Sequence, residues 1–316
     1  MSVITSNTSY TSNTSFHMYK IIENRKIWLS ISTGLVALSL IFISVFGLDL
    51  GIDFTGGSLL EVKFNAERPS TEEVRELIKS EIEFTAEPIV VSSDHQNMII
   101  RVQETEETVH QEIISKLAEK YPENIQEERF ESIGPSIGQE LKEKAIYAIL
   151  IVILAIVAYI AYAFRKVSWP VKSWKYGVIA IVALVHDVII VVGIFALLGR
   201  FMGVEVGLPF VAALLTILGY SVNDSIVVFD RIRENLGRVV KTDFEGIVNR
   251  SVNETITRSV NTSVTTLIVL LTIFFFGGAS IKFFVLALAI GVLSGTYSSI
   301  FLASPLLVVW EKIRRK

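Results

Sequence analysis

Six long apolar segments constrain this chain more than any other feature of its sequence. The hydrocarbon core of a bilayer is about 30 Å thick, so a helix needs roughly 20 apolar residues to cross it. Of the 316 residues, 51% are hydrophobic, and most of them are gathered into blocks of about this length. We therefore predict six transmembrane helices, at residues 21–48, 144–164, 176–199, 206–229, 259–277 and 283–310.

Lysine and arginine residues indicate which side of the membrane each short connection faces. They cluster between the second and third segments, within residues 230–258, and in a tail at 311–316. The short connections on the opposite side contain only Arg200 and Lys282. Because basic loops stay in the cytoplasm, six spans place both termini there, in an inner (cytoplasmic) membrane. Residues 1–20 are rich in Ser, Thr and Asn and are predicted to form a disordered tail.

The long connection at 49–143 then lies on the periplasmic or extracellular side. It contains 22 acidic and 9 basic residues and is far less apolar than its flanks. Its pattern predicts, in order, a strand, a helix, two strands, a helix and a strand, at 58–64, 70–81, 88–92, 98–103, 106–120 and 125–133. This βαββαβ order predicts a small α+β domain of the ferredoxin-like type. The predicted fold is thus an all-α six-helix membrane bundle with one extracytoplasmic domain.

Ionisable side chains inside the apolar segments are the candidate functional residues. The third segment contains His186 and Asp187, the fourth contains Asn223 and Asp224, and Arg258 lies at the start of the fifth. A charge at the centre of a membrane helix costs about 2.5–3.5 kcal/mol on insertion scales, so each one needs a partner or a function. Burial could make Asp224 a reversible proton carrier, with Arg258 modulating its charge. Polar groups can also simply hold helices together, and for His186 and Asp187 both roles stay open.

Glycine-rich segments mark the two places where the chain passes between the membrane and the outer domain. Glycine permits tight backbone turns and proline fixes φ, so each segment is predicted to be an elbow or hinge. A phosphate-binding loop is not favoured, because no Lys follows the first segment and no helix is expected to start there. The residues concerned are Gly51, Asp53, Gly56 and Gly57 at the first junction, and Gly134, Pro135 and Gly138 at the second.

Small residues recur every four positions in the sixth segment, at Gly291, Gly295, Ser299 and Ala303. Such a stripe predicts close contact with a partner helix, inside this chain or in another subunit. Six helices with the stripe facing outward would form half of a larger assembly. Gly219 is a further small residue, in the fourth segment.

Several classes of function are disfavoured by the composition. The chain has no cysteine, and its four histidines lack metal-ligand spacing, so neither a disulfide nor a metal site is predicted. An aspartyl intramembrane protease would need two carboxylates sharing one site, and the surroundings of Asp187 and Asp224 lack the motif of such proteases. No enzyme activity is expected.

Several strings resemble the SecF branch of the SecD/SecF family of protein-export membrane proteins. They are LGIDFTGGSLLEV, GPSIG, VHDVIIVVGIFAL, GYSVNDSIVVFDRIREN, TITRSVNTSVTTL and GTYSSIFLASP. The resemblance runs from about residue 21 to the C-terminus and leaves out only the polar tail.

The resemblance implies a proton-driven role in protein export. It implies a six-helix half of a unit related to RND transporters, paired with SecD and acting with the SecYEG translocon, with YajC and YidC as further candidate partners. The substrate would be a translocating unfolded polypeptide, protons would be the only cofactor, and nucleic acid would not be a partner. Proton conduction would fall on Asp224, with Asn223 beside it, and on Arg258, with Asp187 as a further candidate. Half of an RND-type exporter of small molecules or lipids is the alternative.

Overall fold

The computed structural model describes residues 18–65, 67–92, 96–122, 124–163, 173–238 and 243–314. Almost all of the predicted tail at 1–20 lies outside the described residues. So do Arg165, Lys166 and Lys172 of the basic connection, Lys241, and the last two residues of the basic end.

Among the described residues, six helices are long and apolar enough to cross a membrane, as predicted. The first five are α1 (Arg25–Phe46), α5 (Pro135–Ala163), α6 (Ser173–Met202), α7 (Leu208–Arg238) and α8 (Phe244–Phe276). The sixth is a composite of α9 (Ala279–Ser298), a π-helical turn (Ser299–Ala303) and α10 (Ser304–Arg314). The bundle and the outer domain together match the predicted fold class.

The helices divide into a buried centre and an exposed periphery. Half or more of the most apolar stretch is buried in α6, α7 and the sixth span, at 56%, 50% and 61%. The corresponding figures for α1, α5 and α8 are 11%, 6% and 11%. The central helices are therefore packed mainly against other helices of the chain, and the peripheral ones present large apolar faces to lipid or to another subunit.

Of residues 230–258, predicted to be a cytoplasmic loop and the start of a helix, 230–238 and 244–258 are helical. Helix α7 continues to Arg238 and α8 begins at Phe244. The extension is stabilised across the two helices, because Arg231 Nε lies 2.6 Å from Glu254 Oε2 and Asn235 Nδ2 lies 2.8 Å from the same atom. Charged residues here pair two helices, an arrangement that hydropathy cannot distinguish from a loop.

The small-residue stripe of the sixth span faces another helix of the same chain, so the prediction that it faces outward is wrong. A Cβ added at Gly291 would come closer than 3.0 Å to three carbons of Ile217 on α7. One at Gly295 would meet Ser221 Cβ at 3.0 Å. The absence of side chains at these positions lets α7 and α9 approach closely.

The outer domain has the predicted βαββαβ order. Its elements are β1 (Gly57–Phe64), α3 (Thr71–Glu81), β2 (Ile89–Ser92), β3 (Asn97–Val102), α4 (Glu107–Lys120) and β4 (Ile125–Ile133). The strands form an antiparallel sheet in the order β2-β3-β1-β4. The Ser70 hydroxyl caps α3 by accepting from the Glu73 N–H at 3.1 Å.

Only one face of this sheet is covered by the domain's own helices. Phe64, Met98, Ile78 and Leu117 belong to the core between the sheet and α3 and α4. Residues of the opposite face, including Glu61 and Arg101, line a cavity whose other wall is formed by the ends of α6, α7 and α9 nearest the domain. The domain thus rests on the bundle through the face that its own helices leave open.

At the opposite end of the bundle, a buried ion pair joins α6 to α10. Lys175 Nζ lies 3.0 Å from Glu311 Oε2, and the two side chains are only 3% and 2% exposed. Trp310 covers the ammonium group at 5.7 Å.

Candidate proton-conducting site

Asp224 lies in the buried centre of the bundle and accepts two hydroxyl hydrogen bonds from two different spans. Ser259 of α8 donates to Oδ1 at 2.5 Å, and Ser299 of the π-helical turn donates to Oδ2. The side chain is 9% exposed overall. One carboxylate therefore ties α7 to the fifth and sixth spans at the same depth.

The π-helical turn that presents Ser299 has a local cause in the sequence. Pro305 has no N–H, and its ring would clash with the carbonyl of residue 301 in a regular helix. Widening the turn before it relieves the clash, and the Ser304 hydroxyl donates to the Ser299 carbonyl at 3.2 Å, a five-residue spacing. Such π-helical turns occur frequently at functional sites. Here the turn places a hydroxyl against Asp224.

Asp187 occupies a second polar pocket and is fully buried. Its Oδ1 lies 2.9 Å from His186 Nδ1 and accepts from Ser294 at 2.8 Å. Its Oδ2 accepts from Ser221 at 2.6 Å and from Ser298 at 2.8 Å. Each oxygen of Asp187 therefore has two hydrogen-bonding partners. Since Ser221 lies one turn before Asp224 on α7, the two pockets share a helix.

Arg258 and Asn223 flank the Asp224 pocket but point out of the chain. Arg258 immediately precedes Ser259, and both Arg258 and Asn223 are exposed. Within the part of the chain that the structure describes, Arg258 forms no ion pair. On the same helix, Thr262 and Thr265 are exposed like Arg258, whereas Thr255 is buried.

A matching exposed stripe of small and polar residues runs along α7. Ala212, Thr216, Gly219 and Asn223 recur every three or four positions and are all exposed. A Cβ at Gly219 would meet no heavy atom within 4 Å. Small and polar residues at regular helical spacing favour close approach of another helix. The outward small-residue surface is therefore on α7 rather than on the sixth span.

The two predicted elbows pack against each other. Gly51 precedes a short helix, α2 (Ile52–Thr55), so the expectation that no helix starts here is wrong. Gly56 and Gly57 adopt φ values of 75° and 114°. A Cβ at Gly56 would lie 2.7 Å from Pro135 Cα, and one at Gly138 would lie 2.9 Å from the Gly56 nitrogen. At Gly56 and Gly138 the two junctions touch each other so closely that only glycine fits.

Asp53 connects this double elbow to the helix that carries Asp224. Its Oδ2 accepts a hydrogen bond from the Leu208 N–H, the first residue of α7, at 2.7 Å. Beside it, the Val206 N–H donates to the Asp49 carbonyl at 2.7 Å, and the Gly51 N–H donates to the Val206 carbonyl at 3.0 Å. A movement of α7 along its axis would therefore act directly on the elbow.

The same sequence regions match two family models. The SecD/SecF GG motif matches residues 41–67, which include the first elbow. The model for the protein export membrane protein SecD/SecF, C-terminal, matches residues 113–313, which include both carboxylate pockets. The chain belongs to the SecD/SecF family.

Within the SecD/SecF family the similar proteins are SecF subunits. The chain is 44% identical to the protein translocase subunit SecF of Thermobaculum terrenum, over 93% of this chain and 94% of that protein. It is 38% identical to the SecF subunit of Haemophilus influenzae, over 91% and 85% of the two chains. It is accordingly a SecF-type protein translocase subunit.

Solved SecDF structures share the fold. SecDF of Thermus thermophilus, a translocon-associated membrane protein, matches with a TM-score of 0.83 and 32% identity, over 93% of this chain. The match covers only 39% of that longer chain. A SecDF structure in the super-membrane-facing form matches 94% of this chain with a TM-score of 0.67. The region equivalent to this chain is therefore arranged differently in the two SecDF structures.

Sequence reasoning found both carboxylates of this SecD/SecF family member but missed the hydroxyls around them. The five donors are Ser221, Ser259, Ser294, Ser298 and Ser299. The one sequence feature that could have revealed these hydroxyls is that the serines lie within apolar segments and are spaced to share a helix face. That signal indicates a polar face, but not which carboxylate each hydroxyl contacts.

Proposed function

We propose that this SecF-type subunit pairs with SecD in a SecDF complex that uses the proton motive force to assist SecYEG-dependent protein translocation. The complex would aid the release of unfolded polypeptide on the outer side of the membrane, with YajC and YidC as further candidate partners. Both termini would be cytoplasmic and residues 49–143 would face the periplasm or the exterior.

The observation that carries this proposal is that the polar site around Asp224 includes an exposed arginine whose charge has no partner among the described residues. Arg258 lies at membrane depth, exposed and without an ion pair among the described residues. Leaving it against lipid would cost about 2.5–3.5 kcal/mol or more. Another subunit must therefore cover α7 and α8 and bring an acidic group to Arg258. The greater length of the similar SecDF chain supports SecD as that subunit.

Asp224 is the better of the two carboxylates for carrying a proton. An ionised carboxylate accepts from both Ser259 and Ser299, whereas a protonated one gives up an acceptor position and becomes a donor. Protonation would therefore loosen one of the two links between α7 and its neighbours. Asp187, whose four partners come from α6, α7 and α9, would act as a fixed anchor rather than as a second carrier.

The coupling to the outer domain would run through the first residue of α7. Loss of a link at Asp224 would allow α7 to shift, and the hydrogen bond from Leu208 to Asp53 would pass that shift to the elbow. One elementary charge crossing 100 mV supplies about 2.3 kcal/mol, enough to rearrange a few such contacts.

The test is export into sealed vesicles with and without a proton gradient, with the chain present in its native complex. Asp224→Asn should abolish the stimulation by the gradient, while the partner still copurifies. Asp230→Asn is the matched control, since Asp230 lies on the same helix, is 55% exposed and pairs with Arg233 at the surface. Normal stimulation in the Asp224 variant would show that this carboxyl does not carry the driving proton.

A further inference from the structure

A buried ion pair joins the outer domain to the membrane helices, outside the membrane-spanning segments. Arg101 on β3 pairs with Glu205 in the connection between α6 and α7, and the two side chains are 12% and 15% exposed. The pair lines a cavity of about 450 Å³ between the uncovered sheet face and the outer ends of α6, α7 and α9. Arg101 Nε has no hydrogen-bond partner among the described residues, so the guanidinium is not fully satisfied by this contact.

Acidic groups outnumber basic ones around Glu205. Asp49 and Asp53 lie nearby at the elbow, and among the described residues Arg101 is the cation that acts on Glu205. The pKa of Glu205 is raised to about 7, chiefly by burial; Arg101 acts to lower it, and Asp49 and Asp53 act to raise it. The remaining charged groups that line the cavity are Glu61, Arg129, Glu131 and Lys282.

We propose that Glu205 is a proton-binding site on the outer side of the membrane, which controls how firmly the outer domain rests on the bundle. The site is independent of the proton role of Asp224. It lies where the domain and the bundle meet, beside the backbone hydrogen bonds of Val206 and the Leu208–Asp53 contact. A charge change there acts on the same few contacts that hold the domain down.

The direction of the effect follows from linkage. When the domain lifts, Glu205 becomes exposed to water and its pKa falls back toward 4.5, whereas in the docked state it is about 7. The docked state therefore holds the proton more tightly. Docking is strongest when Glu205 is protonated and weakens as the pH rises through about 7. Acidification of the outer side, as under a proton gradient, would favour the docked arrangement.

Amide hydrogen exchange of Val206 and Leu208 measures this equilibrium, because both N–H groups donate to the elbow. The experiment uses the full chain with its native partners in nanodiscs, with rates corrected for intrinsic exchange. The exchange rates give the equilibrium constant for lifting of the domain from the bundle. This constant should rise by up to about a hundredfold between pH 5 and pH 8. Glu205→Gln, which resembles the protonated state, should remove this dependence and keep the low-pH value.

Two further variants separate titration from simple packing. Arg101→Gln should move the midpoint of the pH dependence of domain opening to higher pH, because Arg101 favours the ionised carboxylate of Glu205. If the pair were purely structural, the variant would instead increase opening equally at every pH. Glu131→Gln lines the same cavity from β4 and should keep the wild-type profile. The proposal is overturned if opening does not depend on pH or if Glu205→Gln keeps the dependence. Should that variant not fold, an unmoved or lowered midpoint in Arg101→Gln overturns it.

Discussion

Gly291→Ala tests the close approach of α7 and α9 on which the Asp224 pocket depends. The added Cβ would come closer than 3.0 Å to three carbons of Ile217, where about 3.4–4 Å is ordinary contact. Either the isoleucine must change rotamer or the helices must separate by a large fraction of an ångström. Overpacking of this kind costs about 1–3 kcal/mol, which corresponds to roughly a 5- to 150-fold change in the unfolding equilibrium.

The same substitution should also impair coupling. Ile217 lies two turns before Asp224 on α7, and Gly291 lies about two turns before Ser299 in the sixth span. Separating the helices at one level weakens the Ser299–Asp224 hydrogen bond at the next. We therefore expect Gly291→Ala to lower both the free energy of unfolding, measured by denaturant titration in mixed micelles, and the stimulation of export by a proton gradient.

Gly219→Ala is the matched control, because it adds the same methyl group on α7 where no heavy atom lies within 4 Å. The isolated chain should lose no stability, whereas the yield of the complex with its partner should fall. Combining Gly291→Ala with Ile217→Ala should recover stability relative to the sum of the single changes. Equal stability of the two glycine variants, or no recovery in the double variant, would refute the packing argument.

Three further outcomes are expected. Asp53→Ala removes the acceptor at the start of α7 and should cost about 0.5–2 kcal/mol, whereas Asp53→Asn keeps an acceptor and should cost less; denaturant titration distinguishes them. Asp187→Asn replaces one acceptor oxygen by an amide nitrogen that cannot accept from the serine hydroxyls, and it should lower stability by about 1–3 kcal/mol. It should leave a gradient-dependent component of export, unlike Asp224→Asn. Lys175→Met leaves Glu311 buried without its ammonium partner and should cost about 3–5 kcal/mol, most of which Glu311→Leu in the same chain should restore; thermal melting of the purified chain measures both.

The sequence was sufficient for features that depend on hydropathy and period. Six apolar blocks gave six spans, and alternating patterns at 58–64 and 98–103 gave two strands close to β1 and β3. These features follow from burial, which composition records directly. The outer domain was predictable in its order for the same reason.

Features that depend on which helices are neighbours were not predictable. Gly291 marks a close helix contact, but only the structure shows that Ile217 of the same chain lies opposite. The paired residues Arg231 and Glu254 make a helix of a segment whose charge indicates a loop. Pro305 was visible in the sequence, yet its effect is to widen the turn before it and aim Ser299 at Asp224, which local propensity does not report.

The uncovered arginine on α8 makes the fifth span sensitive to what lies beside it. In a copy without another subunit, Arg258 would stay in hydrocarbon or draw water and headgroups toward it, either of which loosens the fifth span. A subunit that brought an acidic group to Arg258 would remove this cost. The rigidity of the fifth span would then depend on assembly.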